Sequence, residues 1–162
     1  MKIGVLSDTH INSLNNGTTL AKHLLDGPFH DVEMILHAGD HTIEDFYLCF
    51  PNLPYYGVCG NMDRRSPRLP QRRIVEIGDV KIAMIHGDGA FNNIEKHVLN
   101  SFKKEAVNVI IFGHTHQPFC QQVGSILLLN PGSAADRRSA PYHSVAVLTI
   151  AEDIHAEIFA ID

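Results

Sequence analysis

Apolar residues along the chain occur in short runs, separated by polar segments rich in Gly, Pro, Asn and Asp. Apolar runs of this length, bounded by turn residues, are typical of buried strands. We predict nine strands, at 2–7, 32–36, 55–59, 72–77, 80–86, 107–112, 125–129, 144–150 and 154–158. Gly78 and Asp79, between the fourth and fifth of these strands, are a two-residue hairpin signal.

Three further segments are predicted to be helical. They are residues 18–25, which end at a Gly-Pro pair, residues 43–50, which end before a proline, and residues 93–104, which have one apolar face. Early strands alternate with helices, while later strands follow one another directly. This order favours an α/β layered fold with two packed sheets over a purely doubly wound sheet.

The composition is that of a folded globular chain. Its 162 residues fit one domain of ordinary size, and we expect a single domain over residues 1–162 because no repeat or linker interrupts it. Hydrophobic residues make up 44% and charged residues 19%, which excludes intrinsic disorder. No apolar run is long enough to cross a bilayer, and the N-terminus reaches Asp8 too soon for a signal peptide. We therefore expect a soluble cytoplasmic protein with no membrane partner.

The charged residues and the cysteines narrow the choice of partners. The net charge is −5, which argues against nucleic acid as the main partner, because binding a phosphate backbone requires a clustered positive field. The arginines between residues 64 and 73 are expected to form a solvated loop. Cys49, Cys59 and Cys120 have no C-x-x-C spacing and are expected to be reduced thiols.

Five of the predicted strands run directly into segments that contain Asp, Asn or His. These segments are Asp8-Thr9-His10, Gly39-Asp40, Gly60-Asn61, His86-Gly87 and Gly113-His114-Thr115-His116. In α/β sheets the carboxyl ends of the strands line the ligand crevice, so these polar groups are expected to converge. The glycines fit positions where the backbone passes close to the site.

The residue types at these strand ends indicate divalent metal ions. Imidazole and carboxylate suit Mn, Fe, Zn and similar ions, and the lack of Cys argues against a thiolate site. Asp8 and His10 are separated by one residue, as are His114 and His116. If these segments are extended, both members of each pair point the same way. Each motif alone is weak, because a lone histidine is more often a core residue, but all five together predict a metal centre.

The order of these motifs resembles that of the calcineurin-like metallophosphoesterase superfamily. Asn130-Pro131-Gly132-Ser133, after a further strand, resembles its small single-domain phosphodiesterase branch, which also includes the retromer scaffold subunit. The resemblance implies a four-layer α/β/β/α sandwich of two mixed sheets flanked by helices. It also implies a dinuclear phosphodiesterase, in which a hydroxide that bridges two metal ions attacks phosphorus in line with the leaving group.

The resemblance assigns a role to each motif residue. The first ion would be held by Asp8, His10 and His116. The second would be held by Asn61, His86 and His114, with Asp40 bridging both. Asp40, Asn61 and His86 are the expected catalytic residues. Manganese is the expected metal, with iron, zinc and nickel as alternatives, and the expected substrate is a small phosphoester.

One position departs from the superfamily pattern. Many members have a histidine directly after the motif asparagine, where it can protonate the leaving group, and this chain has Met62. General acid catalysis of this kind is typically worth roughly 10²–10⁴ in rate. Asp63 is a candidate substitute acid, and the alternative is that it pairs with Arg64 or another nearby arginine.

Several polar residues near the motifs have two interpretations each. His37 either orients Asp40 or packs within its strand, and His41 is expected to face solvent or substrate. Arg137 and Arg138 either reach a substrate phosphate or form surface salt bridges, and we favour the salt bridges.

Two functions from different classes compete. The chain is either a phosphodiesterase or a non-catalytic protein-binding scaffold of the same fold. All four candidate histidine ligands are present, and a scaffold would have no need to keep them, so we favour the enzyme. A nuclease of the same superfamily is disfavoured by the acidic net charge.

Overall fold

Ten strands form two five-stranded sheets in the computed structural model, which describes residues 1–89 and 92–162. Within these residues the strands are β1 (Lys2–Leu6), β2 (Met34–His37), β3 (Tyr55–Gly57), β4 (Arg72–Ile77), β5 (Val80–Ile85), β6 (Val109–Ile111), β7 (Phe119–Val123), β8 (Ile126–Asn130), β9 (Ser144–Ile150) and β10 (Ile154–Ala160).

Both sheets are mixed. The first has the order β10-β9-β1-β2-β3, with β1, β2 and β3 parallel and β9 antiparallel to β1. The second has the order β4-β5-β6-β8-β7, with β5, β6 and β8 parallel and the two edge strands antiparallel to their neighbours. The parallel strands of each sheet end at a common edge, and the predicted metal residues follow them there.

The helices cover the outer faces of the sheets. They are α1 (Leu14–Asp26), a 3₁₀ helix (Glu44–Cys49) and α2 (Ile94–Ser101). The first helix begins one turn earlier than predicted, because the Ser13 hydroxyl accepts a hydrogen bond from the Asn16 N–H at 3.3 Å and caps it. No helix in the described residues combines the length and the apolar character that crossing a membrane requires.

Three apolar cores separate four layers. Ile3, Val5, Ile82 and Ile111 belong to the core between the two sheets. A second core lies under α1 and the 3₁₀ helix and includes Leu24, Phe29, Ile35 and Phe46. A third lies under α2 and includes Val98, Phe102, Ile110 and Leu128. The predicted α/β/β/α sandwich is therefore confirmed.

Strand β7 was not predicted. Cys120, Gln121, Gln122 and Val123 are exposed, so this edge strand lacks the apolar run by which the other strands are recognised. It pairs antiparallel with β8 across a tight turn at Gly124 and Ser125. The Gly124-Ser125 pair, flanked by the β-branched residues Val123 and Ile126, is the sequence signal that could have predicted this hairpin.

Candidate metal centre

Backbone hydrogen bonds join the loops that follow β1, β2, β5 and β6. The Asp8 N–H donates to Gly39 O at 2.9 Å, and the His10 N–H donates to Asp40 O at 3.0 Å. The Gly113 N–H donates to His86 O, also at 3.0 Å. The His114 N–H donates to Asp8 Oδ2 at 2.9 Å and so joins the two pairs of loops, which brings four chain segments that are distant in sequence into one small volume.

A first group of side chains gathers around Asp8. The Nε2 atoms of His10 and His116 lie 3.3 Å apart, and His116 Nε2 lies 3.4 Å from Asp8 Oδ1. His10 Nε2 is also 3.7 Å from Asp40 Oδ2. One ligand atom each from Asp8, His10 and His116 falls within 4.8 Å of the others, as a metal ion requires.

A second group gathers around Asn61. Its Oδ1 lies 3.2 Å from His86 Nε2 and 3.2 Å from His114 Nδ1. His86 Nε2 is 3.5 Å from Asp40 Oδ2, the oxygen that also faces His10. Asp40 therefore stands between the two groups, where a bridging carboxylate would be. The structure brings all seven of the predicted ligands together.

The donor set fits divalent metal ions. Asp8 Oδ1 is buried and has no hydrogen-bond partner among the described residues. It faces His116 Nε2 and, at 3.8 Å, His86 Nε2. An unpaired buried carboxylate oxygen is costly, and a cation at this point would relieve that cost. Imidazole, carboxylate and amide oxygen together suit Mn, Fe and Zn.

Carbonyl groups fix the orientation of two imidazoles. His86 Nδ1–H donates to Ala38 O at 2.8 Å, and His116 Nδ1–H donates to Asp136 O. Each Nε2 therefore points into the centre, the arrangement common for metal-binding histidines. Burial alone would lower the pKa of His86, but its hydrogen bond to Asp40 and the charges of Asp8 and Asp40 raise it to about 9.

The ligand loops have an uncommon backbone conformation. Five of the seven candidate ligands have positive φ: Asp8 at 51°, His10 at 46°, Asp40 at 59°, His114 at 70° and His116 at 59°. Left-handed conformations of non-glycine residues are sparsely populated and cluster at functional sites. The two His-containing pairs do not lie in extended segments, because each preceding strand ends first and the loop then turns left-handed.

Two glycines allow the loops to approach the centre closely. A Cβ atom at Gly60 would collide with Asp40 Oδ1. A Cβ atom at Gly113 would lie 2.5 Å from Asp8 Oδ2 and would collide with Ser7 Oγ. A side chain at either position would displace a candidate ligand, which confirms that the backbone must pass close to the site here.

The chain is similar in sequence to known phosphoesterases. Residues 1–153 match the calcineurin-like phosphoesterase superfamily domain. The chain belongs to this superfamily. A probable metallophosphoesterase of Methanocaldococcus jannaschii is 38% identical over 164 residues, covering 100% of this chain and 82% of that protein. A phosphodiesterase of the same organism is 29% identical over 150 residues, covering 82% of this chain and 83% of that protein.

A solved structure of Vps29 from Entamoeba histolytica superposes with a TM-score of 0.75 and covers 99% of each chain. Its sequence identity to this chain is 21%, so the likeness concerns the fold alone.

Met62, which replaces the histidine of many superfamily members, lies at the mouth of the centre. The residue is 56% exposed, and its backbone N–H donates to Asp40 Oδ1 at 2.8 Å. The residue therefore helps to hold the Asp40 carboxylate through its backbone. The thioether has no proton to donate to a leaving group.

Asp63 accepts four hydrogen bonds, and none of its partners among the described residues is an arginine. Its Oδ2 accepts hydrogen bonds from the N–H groups of Asp40 and Gly60, each at 2.8 Å, and from His41 Nδ1–H at 3.1 Å. Its Oδ1 accepts from the Thr42 N–H at 2.8 Å. Burial would raise the pKa of Asp63, but the bonds to His41 and to the backbone hold it at about 2.

These contacts correct both interpretations of Asp63. A carboxyl group with that pKa is ionised at neutral pH and cannot act as the acid. Its four hydrogen bonds connect the loop after β2 with the loop after β3, so it positions the segments that carry Asp40 and Asn61.

His37 and His41 are both buried and stack on each other, with ring centroids 3.7 Å apart. The Gly39 N–H donates to His37 Nδ1 at 3.2 Å, so the opposite nitrogen donates to Thr9 Oγ1 at 3.0 Å. Burial and the neighbouring histidines lower the pKa of His37 well below its usual value. His37 thus supports two ligand loops as a neutral residue, and the expectation that His41 faces solvent or substrate is wrong.

The end of β8 and the turn that follows it hold two of the ligand loops by hydrogen bonds. The Asn130 side chain donates to Gly113 O at 3.0 Å, and the Ser133 hydroxyl donates to Asp8 O at 2.7 Å. Asn130 and Ser133 of the Asn-Pro-Gly-Ser turn therefore have a structural role, which is to hold the loops after β6 and β1 in place. Asp136, whose carbonyl orients His116, was missed because a backbone acceptor leaves no mark on the sequence.

The two arginines after this turn, Arg137 and Arg138, each contact a neighbouring residue of the same loop. Arg138 Nε lies 3.5 Å from Asp136 Oδ2, and an Arg137 guanidinium nitrogen donates to Ala140 O at 2.7 Å. The salt-bridge interpretation therefore holds for Arg138, while Arg137 is bound to a backbone carbonyl.

Proposed function

We propose that the chain is a phosphodiesterase that binds two divalent metal ions through Asp8, His10, Asp40, Asn61, His86, His114 and His116. The observation that carries this proposal is the position of Asp40. Its Oδ2 lies 3.7 Å from His10 Nε2 and 3.5 Å from His86 Nε2, between two groups of potential ligands. Manganese is the proposed metal, and iron, zinc and nickel are the alternatives that the same ligand types accept.

Asn61, Asp40 and Met62 would have different roles in hydrolysis of the diester. When bound, two divalent ions would supply a hydroxide nucleophile at neutral pH and would stabilise charge on the phosphoryl oxygens. Asn61 directs Oδ1 towards His86 and His114, which leaves its exposed Nδ2–H₂ group to donate to a phosphoryl oxygen. Asp40 holds both halves of the site together, and the Met62 N–H fixes its Oδ1.

Two cavities beside the centre support a diester over a monoester. One, of about 580 Å³, opens beside His10, and another, of about 310 Å³, opens beside Asn61. A phosphodiester carries two substituents, and each cavity offers space for one of them. The proposal further includes one domain over residues 1–162, a cytoplasmic location and a small phosphoester as substrate, consistent with the net charge of −5.

The test is hydrolysis of bis(p-nitrophenyl) phosphate and p-nitrophenyl phosphate by protein stripped of metal, with Mn²⁺, Fe²⁺, Zn²⁺ or Ni²⁺ added back separately. We expect the diester to be hydrolysed only after metal is restored. Bound metal without hydrolysis of any ester would contradict the proposal and favour the protein-binding scaffold.

A further inference from the structure

The groove beside His10 has the size and shape of a small-molecule site. Its volume of about 580 Å³ falls within the usual range for such sites. On one wall it follows α1, where its lining residues are spaced three or four apart and so share one helix face. These residues are Asn16, Thr19, Leu20 and His23. At 1.5 Å per residue this face is about 10 Å long.

The groove is suited to an uncharged ligand. Three of its lining residues are apolar: Ile11, Leu20 and Ala135. Within the described part of the chain, no lysine or arginine lines it. Its carboxylate, Asp136, lies at the end near His10 and is paired with Arg138. A second phosphate or another strongly anionic substituent would find no lysine or arginine in the lining, whereas a flat apolar face would be well accommodated.

A pair of amides lies along the edge of the groove. Asn16 Nδ2 donates to Asn12 Oδ1 at 2.7 Å, which fixes the orientation of both side chains. The bond leaves the Asn12 NH₂ group as a donor and Asn16 Oδ1 as an acceptor, on two exposed residues that both line the groove. A ligand edge with an adjoining acceptor and donor would satisfy both.

We propose that this groove binds the nucleobase of a nucleotide phosphodiester. A nucleobase has apolar faces that match the three apolar lining residues, and its edge carries donors and acceptors that match the free donor of Asn12 and the free acceptor of Asn16. The phosphodiester would lie beside His10, at the metal centre. The position of the phosphate rests on the proposed function, but binding of the base by the groove does not.

Binding can be measured without any reaction. We expect adenosine, at millimolar concentration, to shift the side-chain amide resonances of Asn12 and Asn16 in nitrogen-15 NMR spectra of the full chain without added metal. Ribose, which lacks the base, is expected to leave them unchanged. Thr19→Trp, which places an indole in the groove, is expected to abolish the shifts. Asn15→Trp, on the same helix but outside the groove lining, is the matched control and is expected to keep them.

Kinetics then connect the groove to the centre. Thymidine 5′-p-nitrophenyl phosphate and methyl p-nitrophenyl phosphate have the same leaving group and differ in the base. We expect kcat/KM to favour the thymidine ester in the original chain, mainly through a lower KM. Thr19→Trp is expected to reduce that preference by about tenfold or more, equivalent to ~1.4 kcal/mol. Asn12→Asp, which keeps the bond from Asn16 but removes the free donor, is expected to reduce it less.

The outcomes separate the two proposals. Adenosine binding without hydrolysis of either ester would overturn the proposed function and leave the groove assignment intact. Hydrolysis of both esters with no preference for the thymidine ester, and no adenosine shifts at Asn12 and Asn16, would overturn the groove assignment alone. Equal effects of Thr19→Trp and Asn15→Trp would also overturn it.

Discussion

Replacement of Asp63 by asparagine should destabilise the fold, although the two side chains have nearly the same shape. The carboxylate accepts hydrogen bonds at both oxygens, from three backbone N–H groups and from His41. An asparagine has one acceptor oxygen, so whichever way its amide is turned, an NH₂ group faces at least one backbone N–H. The change therefore removes a charge and leaves a buried donor without an acceptor.

The size of the effect follows from the pKa and from the burial. Asp63 has a side chain that is 2% exposed, and its pKa is lowered from 3.8 to about 2. That shift corresponds to about 2 kcal/mol after allowance for screening by solvent. An unsatisfied buried donor adds about 1–3 kcal/mol. Because the folded-state pKa lies below 3.8, the contribution is present above about pH 4 and is lost as the pH falls towards 2.

Urea denaturation of the metal-free protein at pH 7 measures this effect. We expect Asp63→Asn to lower the free energy of unfolding by about 3–5 kcal/mol, which moves the midpoint by roughly 1.5–2.5 M urea. Asp45→Asn makes the same chemical change at an exposed carboxylate and should stay within about 0.5 kcal/mol of the original chain. If the two variants were equally stable, Asp63 would not be holding the ligand loops.

Three further predictions concern the centre itself. Asp40→Asn should reduce diester hydrolysis more than any other single ligand change, since it weakens both halves of the site, while His155→Ala on exposed β10 should leave the rate nearly unchanged; retention of most activity by Asp40→Asn would refute the bridging role. The pKa of His86 is raised to about 9, so metal uptake must displace its proton at pH 7 but not above pH 9. Calorimetry of metal binding, in buffers of different ionisation enthalpy, should therefore show more protons released at pH 7 than above pH 9. Equal proton release at the two pH values would contradict this prediction. Because Met62 supplies no proton, log rate should fall steeply with leaving-group pKa across aryl diesters, and Met62→His should flatten the slope; a shallow slope in the original chain would reveal another acid.

Much of the fold and the identity of the candidate ligands could be predicted because both depend on residue type and order. Strand β9 was predicted with its observed limits, since Ser144–Ile150 is a largely apolar run whose first five residues are buried. The approach of Asp8 to Asp40 follows from their places after the neighbouring parallel strands β1 and β2, and that of His86 to His114 from their places after the parallel strands β5 and β6.

Features that depend on tertiary contacts were not predictable in this way. The left-handed backbone at Asp8 and His10 is imposed by hydrogen bonds to the loop after β2, which no local pattern shows. Asp63 looked like an acid or an arginine partner because its true partners are backbone N–H groups, and these carry no sequence signal. The acceptor of His116 is likewise a carbonyl, that of Asp136.

The most direct test of the account is the metal content of the protein after reconstitution and removal of free ions, measured by elemental analysis against protein concentration. The two groups of ligands around Asp40 predict two divalent ions per chain, and Asp40→Asn should retain clearly fewer. A content near zero in a normally folded chain would contradict the central claim, because the seven gathered side chains would then be a polar cluster and not a metal centre.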